Sequence, residues 1–118
     1  MARAFEDVPF FFTDRSEGTM TLRRGFHIEP GCRVLVVEDV VTTGGSTREV
    51  MDAVTREGGV VVGVGAIVNR SGRENPFAPL PFTALLTVDV PTYPPESCPL
   101  CASGVPLTKP GSRPDKKA

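Results

Sequence analysis

The chain has 118 residues, which is enough for one small domain with a single core. Its 13 basic and 14 acidic side chains nearly cancel, so no charge excess points to nucleic acid or to an anionic membrane. Three cysteines do not suggest a disulfide framework, and no apolar run approaches the roughly 18 to 20 residues that span a bilayer. We therefore expect a cytoplasmic protein with no nucleic-acid or membrane partner.

The first quarter of the chain predicts a strand followed by a long polar connection. The run Val-Pro-Phe-Phe-Phe at 8–12 is continuous and apolar, as in a buried strand. The composition then turns polar from Thr13 to Gly31, a length that is uncommon for an ordered loop and is often found in functional lids. Two weak strands forming a hairpin are expected within it.

A second strand and a helix are predicted next. Val34 to Val37 are all apolar within a strand expected over 33–38, a pattern typical of a strand covered on both faces. Ser46 is predicted to begin the helix, because Ser46 and Glu49 form a capping-box pattern ahead of an apolar stripe. Gly58 and Gly59 are expected to end it.

Two further strands complete the predicted core. The run VVVGVGAIV at 60–68 predicts a second fully buried strand, and FTALLTV at 82–88 predicts a third. The order strand, helix, strand indicates a right-handed crossover in an open parallel sheet with flanking helices, an α/β fold. We therefore predict a core over 1–90 and a proline-rich C-terminal tail over 91–118.

The stretch VLVVEDVVTTGGST at 34–47 contains the residues that are predicted to bind a ligand. Ligands of open parallel sheets bind beyond the carboxyl ends of the strands, where Glu38 and Asp39 are predicted to lie. The loop Val40 to Gly45 leads from there to a helix N-terminus, which suits a phosphate. The pattern thus predicts a phosphate on the loop and two carboxylates that accept hydrogen bonds from sugar hydroxyls. An ordinary strand-to-helix turn with favourable caps is the alternative.

Two better-known phosphate loops are excluded. No Lys-Ser or Lys-Thr follows Gly44 and Gly45, so the loop is not of the Walker type. Gly63 and Gly65 lie inside a predicted strand and lack the third glycine of a dinucleotide fingerprint.

VLVVEDVVTTGGS resembles the phosphoribosyl-pyrophosphate (PRPP) signature of type I phosphoribosyltransferases. Three further segments, GTMTLRRGF, VNRSG and ESCPLCASGVPLTKPGSR, resemble bacterial orotate phosphoribosyltransferases. This resemblance implies transfer of phosphoribosyl from PRPP to orotate, which yields orotidine 5′-monophosphate and pyrophosphate for pyrimidine synthesis. It also implies Mg²⁺ as cofactor and a homodimer as assembly.

The resemblance assigns roles residue by residue. Arg15 would contact pyrophosphate from a mobile catalytic loop at 14–25, in which family members often have a lysine at or near the position of Thr19. Arg70 would pair with the carboxylate and ring edge of orotate, which Thr42 would also contact. The catalytic groups would be Glu38, Asp39 and Arg15, acting by position and charge with little proton transfer. PRPP would be bound by Glu38, Asp39, Val40, Val41, Thr42, Thr43, Gly44, Gly45 and Ser46, and no residue is assigned to a metal.

The resemblance spans only about the C-terminal part of a family member. Family members also have an N-terminal region that supplies a core strand, a pyrophosphate-binding turn and a hood over orotate. We therefore expect little or no transferase activity from this chain alone. Two function classes stay open: an enzyme, favoured by Arg70 and the mobile loop, and a non-catalytic module that binds PRPP or a nucleotide.

The remaining candidates carry weaker signals. Cys98 and Cys101 have metal-ligand spacing, but a tetrahedral zinc needs two more ligands, and Cys32 and His27 are the only other cysteine and histidine. Two free thiols are the favoured interpretation, and a site shared between subunits is the alternative. We expect His27 to be a surface residue, and Arg23 and Arg24 to be surface charges of the hairpin.

Overall fold

A computed structural model describes residues 7–23 and 25–106. Within these residues, no helix has the length and apolar character needed to cross a membrane. A 3₁₀ turn at Pro95–Ser97 precedes the last helix. The elements in chain order are β1 (Thr13–Ser16), β2 (Thr19–Leu22), β3 (Arg33–Val41), α1 (Gly45–Arg56), β4 (Val60–Asn69), β5 (Phe82–Thr87) and α2 (Pro99–Ala102).

The core is a three-stranded sheet in the order β3-β4-β5, with both pairs parallel. The α/β class with an open parallel sheet is thereby confirmed. The predicted end of the first core strand was wrong by three residues, because pairing with β4 continues to Val41, which lies opposite Asn69. Glu38 and Asp39 consequently lie inside β3 near its carboxyl end, and only three residues separate β3 from α1.

One face of the sheet packs against α1 and forms the core. Its buried members come from β3, β4 and the connection between β4 and β5, and Val50 and Met51 of α1 pack against them. Phe77 comes from that connection and meets Phe82 edge to face, with ring centroids 5.3 Å apart. Burying such a ring contributes about 2–3 kcal/mol. The buried cluster comprises Val36, Val41, Val64, Ala66 and Phe77.

The opposite face of the sheet is open, contrary to the prediction of strands buried on both sides. By the register of the ladders, Leu35, Val37, Ile67 and Leu85 share this face, and all are at least 42% exposed. A continuous apolar run shows that both faces of a strand are apolar, but burying the second face requires another helix or sheet to pack on it. In the described part of the chain only α1 is long enough to cover a face, because α2 has four residues.

The strand predicted over 8–12 does not form. Phe10 and Phe12 are 56% and 55% exposed, and none of the described strands pairs with this segment. A strand requires a neighbouring ladder, which an apolar run cannot guarantee. Among the described residues, the contacts of the segment are with the end of the hairpin and the residues after it: the carbonyl of Phe12 accepts from the amide of Arg23 at 2.9 Å, and the ring of Phe11 meets that of Phe26.

The hairpin predicted in the polar connection is confirmed. β1 and β2 pair antiparallel, with Ser16 opposite Thr19. Glu17 and Gly18 between them both have positive φ, 49° and 84°, as the common two-residue hairpin turn requires. Arg23 lies on the hairpin surface and pairs with Asp14 at 3.0 Å, as expected, whereas Arg24 lies outside the described residues.

The start of α1 differs from the predicted capping box. The helix begins at Gly45 after Gly44, whose φ is +78°, and no side chain caps it. Ser46 is already the second helical residue, and the Glu49 carboxylate accepts from Arg15 instead of returning to the backbone. The predicted end is confirmed: α1 stops at Arg56, and Gly58 follows with φ +87°.

Candidate functional site

The predicted site residues other than Arg15 lie together at the carboxyl ends of β3 and β4. The loop Thr42 to Gly44 leaves β3 there, two residues after Glu38 and Asp39. The amide of Arg70 donates to the carbonyl of Val41 at 2.7 Å, so Arg70 leaves β4 beside the start of that loop. Residues about 30 positions apart in sequence therefore share one edge of the sheet.

Val40 and Val41 contribute differently to this edge. Val40 is 40% exposed, whereas the side chain of Val41 is 1% exposed and fills the core. A ligand at this edge can reach Val41 only through its backbone. The side chain of Val41 therefore positions the loop by packing against Phe77 and its neighbours.

The two carboxylates crowd each other. Partial burial raises the pKa of Glu38 above its usual range, and the negative charge of Asp39 together with a hydrogen bond between the two side chains raises it further. Asp39 Oδ1 also accepts from the amide of Val40 at 2.7 Å. Hydroxyl donors or a cation placed against this pair would relieve the repulsion, so the pair suits a sugar diol or a hard metal ion.

The first turn of α1 is prepared for an anion. Thr43 Oγ1 accepts from the amide of Gly45 at 3.3 Å. The amides of Ser46 and Thr47 have no acceptor within the helix, as is general for a first turn, and the N-cap residue Gly44 has no side chain to offer one. Thr42, Thr43 and Ser46 are exposed around these amides. Backbone donors, hydroxyls and the positive end of the helix dipole therefore face one place, which suits a phosphate group.

Arg48 is a site residue that the sequence did not reveal. Its guanidinium donates to the carbonyl of Thr43 at 3.2 Å and to that of Pro76 at 2.6 Å, and lies 5.3 Å from the centre of the Phe77 ring. It thus ties the loop to the connection that follows β4. In the sequence Arg48 looks like any solvent-exposed charge of a helix, because its partner Pro76 lies 28 positions away.

Gly44 lies against the guanidinium of Arg48 and the ring of Phe77. A Cβ atom at Gly44 would approach Arg48 Nη1 to 2.9 Å and the Phe77 ring to 3.0 Å. The glycine is therefore required both by its positive φ and by the close approach of Phe77. Gly45 has neither restriction, since its Cβ would meet only Thr43 Oγ1 at 3.5 Å. Of the two loop glycines, only Gly44 is thus required by a close approach within the described part of the chain.

Asn69 shapes the turn that carries Arg70. Its side chain is 1% exposed, Oδ1 accepts from the amide of Ser71 at 3.0 Å, and Nδ2 donates to the carbonyl of Arg73 at 2.8 Å. Because these bonds close the turn around Arg70, Asn69 is a second positioning residue. The segment VNRSG contained this asparagine, but composition gave no indication of its two bonds.

Arg15 does not reach the carboxylate pair. Its guanidinium donates to the carboxylate of Glu49 on α1 and to the carbonyl of Gly18 at 2.8 Å. A second contact from the same helix, Arg56 Nη2 to the carbonyl of Met20 at 2.6 Å, also holds the hairpin against α1. Arg15 and Thr19 therefore lie along the flank of α1 in this conformation, and the role of Arg15 toward pyrophosphate stays a prediction.

The remaining candidates for catalysis or metal binding are His27 and the three cysteines. His27 is a surface residue, as expected, and bonds Glu29 at 2.7 Å. Cys32, Cys98 and Cys101 are all free thiols. Among the residues that the structure describes, no three potential metal ligands of the His, Cys, Asp or Glu type cluster together. A single chain therefore shows no complete zinc site around Cys98 and Cys101.

Comparisons with known proteins agree on one family. Residues 3–78 match the family model described as phosphoribosyl transferase domain. The chain is 61% identical to an orotate phosphoribosyltransferase of Carboxydothermus hydrogenoformans over 113 residues, which is 96% of this chain and 58% of that protein. It is 54% identical to an orotate phosphoribosyltransferase of Thermotoga maritima over 86% of this chain and 54% of that protein.

A solved structure shows the same similarity at the level of fold. The adenine phosphoribosyltransferase of Rhodothermus marinus superposes with a TM-score of 0.50 and 29% identity, over 70% of this chain and 52% of that one. The chain thus spans little more than half the length of the curated relatives that it matches.

Proposed function

The chain belongs to the phosphoribosyltransferase family, and we propose that it carries the PRPP- and orotate-binding part of an orotate phosphoribosyltransferase. The observation that supports this most is the first turn of α1. Its N-cap residue Gly44 has no side chain, it begins three residues after the end of β3, and Arg70 lies beside the start of the loop that leads to it. The names of the relatives at 61% and 54% identity direct the choice of orotate as the acceptor.

We propose that the amides and hydroxyls from Thr42 to Ser46 hold the 5-phosphate of PRPP, as a helix N-terminus holds an anion. Glu38 and Asp39 would accept hydrogen bonds from the ribose hydroxyls, which would remove part of the repulsion that raises the pKa of Glu38. The guanidinium of Arg70 would pair with orotate, because a planar fork matches a carboxylate and a ring edge.

The proposed reaction is a displacement at the anomeric carbon of PRPP. The bond from this carbon to the pyrophosphate oxygen breaks, and a bond to a ring nitrogen of orotate forms. Charge develops on the sugar and on the departing pyrophosphate. Fixed charges that need no rearrangement stabilise such a transition state best, so Glu38 and Asp39 are assigned electrostatic and positioning roles. Arg15 is assigned the contact with pyrophosphate, for which it would have to leave Glu49 on α1.

The donor set at this edge also fits the magnesium that the family implies. Mg²⁺ prefers oxygen ligands and is usually held by one or two carboxylates together with substrate phosphates, and Glu38 and Asp39 offer such oxygens. When bound with PRPP, the ion would neutralise the pyrophosphate. A homodimer and a reducing cytoplasmic setting complete the proposal, and the three free thiols are in line with the latter.

The test is titration calorimetry of the chain with PRPP and Mg²⁺, then with orotate, alongside an assay of pyrophosphate release. Because the chain spans 58% and 54% of its two relatives, we expect binding of PRPP and orotate with little or no turnover. Arg70→Gln should weaken orotate and leave PRPP binding intact. Arg33→Gln is the matched control, because Arg33 lies at the amino end of β3, roughly 26 Å from Val41 at 3.3 Å per residue.

Three results would contradict the proposal or a part of it. PRPP binding that does not respond to orotate would favour the non-catalytic binding module. Equal loss of orotate binding in the Arg70 and Arg33 variants would remove the proposed role of Arg70. Absence of PRPP binding in a folded chain would contradict the phosphate site at α1.

A further inference from the structure

Two cysteines outside the proposed site form a structured pair. Cys98 precedes α2 and Cys101 lies in it, with Pro99 and Leu100 between them. The amide of Cys101 donates to Cys98 Sγ at 3.5 Å, so the turn brings the second cysteine back over the first sulfur. Cys98 is half-buried and Cys101 is exposed, so small solutes can reach the pair.

The turn around the pair is well fixed. The carbonyl of Cys98 accepts from the amide of Ala102 at 3.0 Å, and that of Pro99 accepts from Ser103 at 3.1 Å. The carbonyl of Cys101 accepts from the amide of Gly104 at 3.0 Å. A ring of four residues held in this way needs little rearrangement to join its ends, which favours closure by a covalent bond.

The two thiols are not equivalent. The amide of Cys101, and then its thiol, donate to the Cys98 sulfur and lower the pKa of Cys98 below its usual value. The same contact raises the pKa of Cys101. A thiolate is the attacking species in disulfide exchange, so the environment distinguishes an attacking sulfur from a resolving one.

We propose that Cys98 and Cys101 form a redox-active dithiol, in which Cys98 attacks a small-molecule disulfide and Cys101 resolves the product. The Cys98 thiolate attacks one sulfur of oxidised glutathione, a mixed disulfide forms, and one glutathione thiolate leaves. Cys101 then loses its proton and attacks the Cys98 sulfur, which releases the second glutathione. Two protein thiols are thereby oxidised to one disulfide, and one oxidised glutathione is reduced to two glutathione molecules.

The experiment equilibrates the full, reduced chain with oxidised and reduced glutathione at several ratios, traps free thiols by alkylation and maps them by mass spectrometry. We expect the peptide containing both cysteines to lose two hydrogen atoms and both alkylation sites, reversibly. Cys32 is the internal control, because it is exposed and its thiol donates to the carbonyl of Arg33 and to no cysteine of the described residues. It should be glutathionylated or remain alkylatable without forming an internal disulfide.

Single variants test the order of the two steps. In Cys101→Ser the mixed disulfide at Cys98 should accumulate, because the resolving thiol is absent. In Cys98→Ser, Cys101 should react more slowly than Cys98 does in the other variant. Equal rates, or a pair that stays reduced while Cys32 is glutathionylated, would overturn the proposal. So would disulfides that join two chains, or zinc bound at one ion per two chains, since the latter would identify a metal site between copies.

Discussion

The substitution Gly44→Ala tests the geometry that presents the phosphate loop. Alanine at a φ of +78° costs about 1–2 kcal/mol. The added methyl group also meets the Phe77 ring at 3.0 Å, and such overpacking costs about 1–3 kcal/mol. The flexible end of Arg48 can move aside, and the lower entropy of the unfolded alanine chain returns about 0.4–1 kcal/mol. We expect a net loss of about 3 kcal/mol in the free energy of unfolding.

Gly45→Ala is the matched control one residue later. Gly45 is helical and its Cβ would have ordinary contact only, so alanine should stabilise the chain by about 0.5–1 kcal/mol. Urea denaturation followed by circular dichroism measures both variants at neutral pH. A difference of less than about 1 kcal/mol between them would show that the positive φ of Gly44 and its contact with Phe77 do not constrain the loop.

Three further predictions concern single side chains. Burial and Asp39 raise the pKa of Glu38, so the contribution of this group to stability is fully present below the ordinary glutamate pKa of about 4.3 and is lost as the pH rises through the pKa of the folded chain. Glu38→Gln should therefore stabilise the chain at neutral pH and not at around pH 4. A difference in urea midpoints that does not change with pH would refute this. Asn69→Ala should cost about 1–3 kcal/mol, because it leaves the amide of Ser71 without its acceptor and removes one of two donors to the carbonyl of Arg73, which keeps the Ser71 hydroxyl at 3.1 Å. A change below about 0.5 kcal/mol in the same assay would contradict the two bonds of Asn69. Glu49→Gln should lose less than about 1 kcal/mol of global stability, since the ion pair between Glu49 and Arg15 is partly exposed. It should nevertheless lower the hydrogen-exchange protection of β1 and β2 more than the control Asp52→Asn on the same helix does. Equal protection in the two variants would count against the contact of Glu49 with Arg15.

Local patterns predicted the elements whose causes are local. The end of α1 at Gly58, the hairpin of β1 and β2, and the parallel pairing of β3 with β4 all follow from turn residues and apolar runs. The role of Arg70 at the site was expected from the family resemblance, and the structure places it beside the loop because a parallel sheet collects the carboxyl ends of its strands at one edge.

The predictions that failed depended on partners distant in sequence. The capping box looked complete, but Glu49 is used by Arg15, which lies 34 residues earlier. The run at 8–12 had the composition of a strand and no ladder to join. Arg48 and Asn69 position the loop and the turn through contacts with backbone carbonyls and amides, which leave no mark in composition.

The open apolar face of the sheet has a consequence for calorimetry. The heat capacity change of unfolding reflects the apolar surface that folding removes from water. Since Leu35, Val37, Ile67 and Leu85 remain hydrated in the folded chain, unfolding exposes less new apolar surface than in a domain covered on both sides. The chain should thus fall below the usual increment of about 12–15 cal/mol/K per residue. The curve of its stability against temperature should therefore be only weakly bent.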